Sequence, residues 1–398
     1  MGKIVIVSEL FYPDGTSTAH IMTKIADELY KTHEVVVLAG PESYSSDNIT
    51  TTKLDEDKPY PIKRIKIGNL DKNKTLSRAL KFVQTSMSLA WLLKKIAHKD
   101  DDVFIVTNPA PFLLLATILR QLKKFRLTIL VHDVFPENTI AAGIIKSSNN
   151  LLYRFAKSIF RKAYSKADRL ILIGRDMKQH FENKLKEYTK KPEFVVIENW
   201  ADIVEKKGTF IDRGSDNITI LYAGNIGRCQ GLEEFLDEFI MADNINLRFE
   251  LRGGGALAGK IETIIRHTGT DNIKLGGSYS RDEQFEILQD CDIALVTLAD
   301  GMLGLGVPSK SYNIMAAGKP ILFIGDENSE IAKMVNEHEI GYCFSPNDRT
   351  DIIEWLKTLD SRKKAEFNKM GEKARRLADT IYSEETILNK YNELFKKY

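Results

Sequence analysis

The chain has 398 residues, 43% of them hydrophobic and 28% charged, with a net charge of +2. That balance suits two globular domains with full cores and excludes a disordered chain. Cys229, Cys291 and Cys343 have neither paired nor metal-ligand spacing, which argues against a disulfide framework and for a reducing compartment.

The opening MGKIVIVSEL reads as a strand rather than a secretory leader. No apolar run reaches the roughly 18 residues of a membrane span, so a soluble protein is expected. KIVIVSE (3–9) and HEVVVLAG (33–40) flank an amphipathic stripe of Thr18, Met22, Ile25 and Leu29. That is a βαβ unit with FYPDGTST as its strand-to-helix loop. Further strands are predicted at PIKRIKI (61–67), DVFIVT (102–107), RLTILVHD (126–133), DRLILIG (168–174) and EFVVIEN (193–199). After the loop-like KKGTFIDRGSDN (206–217) the alternation restarts at ITILYAGN. It continues with NLRFEL (246–251), NIKLGG (272–277), DIALVTL (292–298), KPILFI (319–324) and IGYCF (340–344). Helical periodicity between strands predicts an α/β protein with two doubly wound parallel sheets. The expected division is 1–204, 205–375 and a C-terminal helix, 376–398, that packs back on the first domain. Two such halves face each other across a cleft at the carboxyl ends of their strands, where ligands of these sheets bind.

Charge is unevenly spread. Residues 70–165 hold 16 Lys or Arg against 6 Asp or Glu, which fits either a solvated basic face or one that meets an anionic surface. Within it, LSRALKFVQTSMSLAWLLKKIAHK (76–99) carries a stripe of Leu76, Leu80, Val83, Met87 and Trp91. Core packing and an interfacial position on anionic lipid both remain open.

Three strand exits in the second half are rich in glycine: YAGNIGRCQGLEEFL, LRGGGALAGK and GMLGLGVPSKSYNIMAAGKPIL. Each alone fits a flexible turn. Together they point to a phosphate-bearing ligand, because glycine lets backbone approach closely. In the last exit, Pro308, Ser309 and Lys310 precede a helix that ends at Gly318, so free amides and a cation could face phosphate. The cleft loops expected in the second half hold no HExxH, DxD or clustered carboxylate motif, and the chain has no GxSxG or P-loop. A phosphate held without metal needs protein cations, here Lys310 and Arg228. In the first half, VHDVFPEN ends a strand at the cleft. His132, Asp133 and Glu137 there are candidates for the acceptor or sugar, or, for the acids, a helix cap before Asn138. His20 reads as packing or acceptor-shaping.

These residues resemble the GT-B glycosyltransferases of retaining family 4. Bacterial O-antigen and capsule enzymes, including N-acetylfucosaminyl transferases, are the nearest in pattern. The carriers are SELFYPDGTSTAHIMTKIADEL, HDVFPEN, ADRLILIGRDMKQHF, VIENWAD, YAGNIGRCQGLEEFL, DIALVTL and GVPSKSYNIMAAGKPIL. The resemblance implies a nucleotide-sugar donor in the second half, UDP-linked and N-acetylated, and an acceptor mainly in the first. It also implies retention, no metal or other cofactor, and no nucleic-acid partner. The implied acceptor is a lipid-linked saccharide, undecaprenyl-diphosphate-bound, at the inner face of the cytoplasmic membrane.

Donor contacts are then expected at Gly15, Gly224, Asn225, Arg228, Gln230, Gly253, Gly255, Leu275 and Gly276. Leu303, Gly304, Leu305, Gly306, Val307, Pro308, Ser309 and Asn313 complete that set, with Lys310 beside His132, Asp133 and Glu137 in catalysis. Many members carry arginine and lysine where Asn225 and Gln230 stand, and two glutamates in the later loop, the second at the place of Asn313. Lys310 is therefore the substitute cation, with Lys319 expected to be a neutral neighbour. A UDP-sugar 2-epimerase and a non-catalytic nucleotide-sugar-binding protein are the competing readings.

Overall fold

Residues 2–41, 55–67, 75–141, 143–145, 147–201 and 216–396 are described in a computed structural model. The predicted boundary near 205 and most of the 206–217 loop lie outside them.

The strands form where buried β-branched runs occur. The first sheet holds β1 (Ile4–Ser8), β2 (Val35–Ala39), β3 (Ile62–Arg64), β4 (Asp102–Val106), β5 (Arg126–Val131), β6 (Arg169–Leu172) and β7 (Glu193–Val196), in order β3-β2-β1-β4-β5-β6-β7. The second holds β8 (Ile218–Ala223), β9 (Leu247–Arg252), β10 (Ile273–Leu275), β11 (Ile293–Thr297), β12 (Ile321–Ile324) and β13 (Gly341–Phe344), in order β10-β9-β8-β11-β12-β13. Every pairing is parallel, from Ile4 beside Val35 to Ile324 beside Phe344. Each sheet therefore reverses strand order at its first strand, the switch point where a doubly wound sheet opens a ligand crevice.

The predicted helix stripe Met22, Ile25 and Leu29 is buried in Ser17–Tyr30, capped by Thr16, whose hydroxyl accepts from the Ala19 amide. The 61–67 prediction shrinks to three residues because β3 is an edge strand, paired only with β2. In Thr75–Ile96, Leu89 and Leu93 face the core, whereas Leu80, Val83, Met87 and Trp91 are exposed. The core reading of that stripe is overturned; Leu76 has no described side chain.

The helix Glu384–Lys396 lies on the first domain. Lys24 pairs with Glu384 at 2.8 Å and Lys390 with Glu198 at 2.6 Å. Phe104 of β4 meets Tyr391 and Phe395 edge-on or tilted. A second tie is polar. Arg175, which opens the helix Arg175–Lys184, pairs with Glu330 at 3.0 Å and Glu337 at 2.8 Å, both on Glu330–His338. These contacts hold the two sheets in one fixed relation.

Candidate active site

The loops that leave β1, β5, β8, β9 and β11 converge on a cavity of about 770 Å³ between the two sheets. From the first domain come Gly15, His132 and Asp133. The second supplies Gly224, Asn225, Gln230, Gly253, Gly306, Val307, Pro308, Ser309, Lys310 and Asn313. Thirteen residues expected at a site from sequence thus line one cavity.

Lys310 dominates its electrostatics. Its Nζ is buried without a hydrogen-bond partner and sits 3.5 Å from the centroid of the Tyr222 ring. A Cβ built on Gly224 would lie 3.0 Å from that nitrogen. The absent side chain at Gly224 therefore leaves the ammonium open to the first glycine exit. Burial alone lowers the Lys310 pKa from 10.5 to about 7. Only a weak cation–π contact opposes that desolvation. A buried ammonium held in this way is completed by an arriving anion.

Across the cavity, Thr107 Oγ1 accepts from the amides of His132 and Asp133 at 3.2 and 3.3 Å, fixing the turn after β5. Burial lowers the His132 pKa to about 4, so the ring is neutral at pH 7, with Nε2 unpartnered. The Asp133 carboxyl reaches cavity solvent, yet protein surrounds it on most sides and raises its pKa. It is the one carboxylate in the described cavity lining. No three His, Cys, Asp or Glu side chains gather as a metal set among the described residues.

Eight predicted contacts lie outside the lining, each for a packing reason. Glu137 is buried in an ion pair with Lys184. Arg228 points into solvent. Gly255 packs against the Ile226 carbonyl, where a Cβ would come within 2.4 Å. Leu275 ends β10, and Gly276 makes room for Arg252, whose Nη1 donates to the Gly276 carbonyl at 3.1 Å. Leu303 is exposed. The Gly304 amide donates to Asp176 at 3.3 Å, and the Leu305 carbonyl accepts from the Val134 amide at 3.1 Å. Residues 303–305 therefore tie the two domains together rather than offering amides to a ligand. Lys319 is not a neutral neighbour either, since its buried Nζ donates to the carbonyls of Gln289 and Cys291 at 3.1 and 2.8 Å.

Sequence reasoning missed Ser278, Tyr279, Arg281, Gln284 and Thr297, which also line the cavity. The Ser280–Glu283 capping box was the available signal for the turn that presents the first four.

Residues 205–377 match the family described as glycosyl transferases group 1, and residues 19–204 match glycosyltransferase family 4. The chain is 31% identical over 404 residues to the Pseudomonas aeruginosa protein named "Probable glycosyltransferase WbjE", covering 98% of this chain and 97% of that one. The chain is a group 1 glycosyltransferase. A WcaI protein of Escherichia coli K12, named for colanic acid biosynthesis, is 22% identical over 98% of each chain. This glycosyltransferase has the GT-B fold of Anabaena HepE, solved in complex with UDP and glucose. The TM-score is 0.70 at 15% identity over the whole of both chains. With the family established, the epimerase and non-catalytic readings give way to glycosyl transfer.

Proposed function

We propose that the enzyme transfers an N-acetylated hexosamine or deoxyhexosamine, with retention, from a UDP-linked donor to a hydroxyl of a lipid-linked saccharide. The observation that carries the donor half is the buried, unpartnered Lys310 ammonium beside Gly224. A sugar diphosphate laid along Gly224 and Gly253 would complete it. The UDP complex of HepE and the polysaccharide context of WcaI support the substrate classes. On the opposite wall, neutral His132 would orient the acceptor hydroxyl. Asp133, whose carboxyl pKa burial raises, would hydrogen-bond the sugar. Retention requires the hydroxyl to enter on the face the diphosphate leaves and to give its proton to the departing phosphate oxygen. Lys310 would meet the charge growing on the departing diphosphate.

Thermal unfolding against UDP-, GDP- and dTDP-sugars tests the donor. A ligand at 100 times its Kd adds about 2.7 kcal/mol of stability, and UDP-N-acetylhexosamines should shift the midpoint most. A larger shift with GDP-sugars would overturn the assignment, and an inverted anomeric product would overturn retention. With protein cations rather than bound metal at the diphosphate, transfer is expected to survive EDTA. Loss restored by magnesium or manganese would contradict that.

The membrane partner is supported by three helices of the first domain, Thr75–Ile96, Ala110–Lys123 and Leu151–Tyr164. They contain ten Lys or Arg and no Asp or Glu. They also expose Met87, Trp91, Leu122, Leu151, Leu152 and Phe155. Each basic residue near an anionic bilayer contributes on the order of 1 kcal/mol, screened by salt. Vesicles rich in phosphatidylglycerol should sediment the enzyme at low salt and release it near ~0.5 M, where the screening length is only a few ångströms. Equal binding to neutral vesicles would leave a merely solvated basic face.

A further inference from the structure

The turn that follows β5 in the first domain also faces the cavity, and Phe135, Asn138 and Thr139 of that turn line it. Most of its polar groups are committed within the protein. The Asn138 backbone N–H closes the turn on the Val134 carbonyl at 3.0 Å, and the Thr139 hydroxyl donates to the Pro136 carbonyl at 2.6 Å. Glu137 is turned away to Lys184. The Phe135 N–H donates to the Tyr164 hydroxyl at 3.4 Å, and its carbonyl faces Lys184 Nζ at 3.5 Å. What the turn leaves for a ligand is therefore the Phe135 ring and the Asn138 carboxamide. The ring is half-buried and backed by Phe160, with centroids 6.2 Å apart. The carboxamide Oδ1 is buried with no hydrogen-bond partner among the described residues.

A buried oxygen without a donor, on a residue that lines a cavity, points to a ligand that donates to it. The surroundings state the chemistry of that ligand. A carboxamide presents an acceptor and two donors in one plane, which matches two neighbouring hydroxyls, each able to donate and to accept. An aromatic ring on the same turn takes the apolar C–H face of a ring that carries such hydroxyls. Phosphate fits this wall poorly. The first-domain residues of the lining include no lysine or arginine. Lys157 and Lys184, which reach the turn, are paired with Glu137, and the Asp133 carboxylate would repel an anion. A neutral pyranose meets all of these conditions.

We propose that Phe135 and Asn138 form the subsite for the acceptor sugar. The Phe135 ring packs on the C–H face of the acceptor's terminal pyranose, and the Asn138 carboxamide holds two of its neighbouring hydroxyls. The proposal rests on the saccharide-acceptor reading of the cavity. Saturation-transfer NMR on the UDP-loaded enzyme tests it, with titration of the methyl glycosides of glucose, galactose, mannose, fucose and N-acetylglucosamine and of geranyl phosphate. At least one glycoside should bind, with saturation strongest at its ring C–H protons. Asn138→Leu and Phe135→Leu should each weaken that glycoside about tenfold, whereas Phe135→Tyr, which keeps the ring, should not. UDP-N-acetylglucosamine should bind both leucine variants as it binds the wild type. Failure of UDP to bind the wild type overturns the nucleotide-sugar reading and this subsite together. Tighter binding of geranyl phosphate than of every glycoside overturns the saccharide acceptor. UDP binding without any glycoside binding, or glycoside affinity that either leucine variant keeps, overturns the subsite alone. So does an equal loss of donor affinity in Asn138→Leu with unchanged thermal unfolding, which would place the turn at the donor.

Discussion

Replacing Lys310 with methionine is expected to remove most sugar transfer and, at the same time, to stabilise the ligand-free enzyme. The two effects share one cause. The ammonium is buried against Tyr222 with no counter-ion, and burial has brought its pKa from 10.5 to about 7. Between those values the unfolded chain holds a proton that the folded chain lacks, so stability rises with pH across that window. Below about pH 7 both states are charged and the cost is present in full, several kcal/mol at 1.36 kcal/mol per pKa unit. Lys310→Met should therefore raise the unfolding midpoint most at pH 6 and hardly at all near pH 10. With donor the sign reverses. A charge-assisted hydrogen bond to phosphate contributes about 1.5–3 kcal/mol, or roughly tenfold to a hundredfold in affinity. Charge growth on the leaving group makes the loss in kcat larger, about 10²–10³-fold if it follows other preorganised donors. Donor binding to the wild type should also weaken as pH rises above about 7, because a neutral lysine must take up a proton to meet the phosphate. A variant with ordinary kcat and donor affinity would leave Lys310 as a buried core residue and no more.

The fold was legible because both sheets are buried and parallel, so each strand is an unbroken apolar run such as IVIVS or IALVT. Errors sit where packing, not propensity, decides. β3 stops early as an edge strand paired on one side only, and the Leu80–Trp91 stripe has the period of a core helix yet faces outward. At the site, the glycine exits and Lys310 could be located because loops after parallel strands must open onto the crevice. Spacing does not report which way a side chain turns. Hence Arg228, four residues after Gly224 in the loop, leaves for solvent, while Thr297, an ordinary strand residue in sequence, ends inside the cavity. The 303–305 segment has the composition of a phosphate loop, but Asp176 and Val134, both distant in sequence, take its polar groups.

Breaking the Glu137–Lys184 pair is expected to cost stability rather than catalysis, which separates the two roles that HDVFPEN leaves open for that glutamate. Lys184 and Glu137 side chains are 2% and 9% exposed. Lys184 Nζ donates to the Glu137 carboxylate and lies 3.5 Å from the Phe135 carbonyl. Burial lowers the Lys184 pKa even though Glu137 opposes the shift, so desolvation outweighs the attraction at this site. Removing one partner strands the other charge in a low-dielectric interior, at a cost of about 3–5 kcal/mol. At roughly 2–4 °C per kcal/mol for domains of this size, Glu137→Ala should unfold on the order of 10 °C earlier. Removing both charges restores a neutral interior, so Glu137→Leu with Lys184→Met should recover much of the loss. Well below the midpoint, kcat of the folded Glu137→Ala enzyme should stay near normal, because Glu137 faces Lys184 and not the cavity. A Glu137→Ala enzyme that unfolds like the wild type but transfers no sugar would place the carboxylate in the reaction instead.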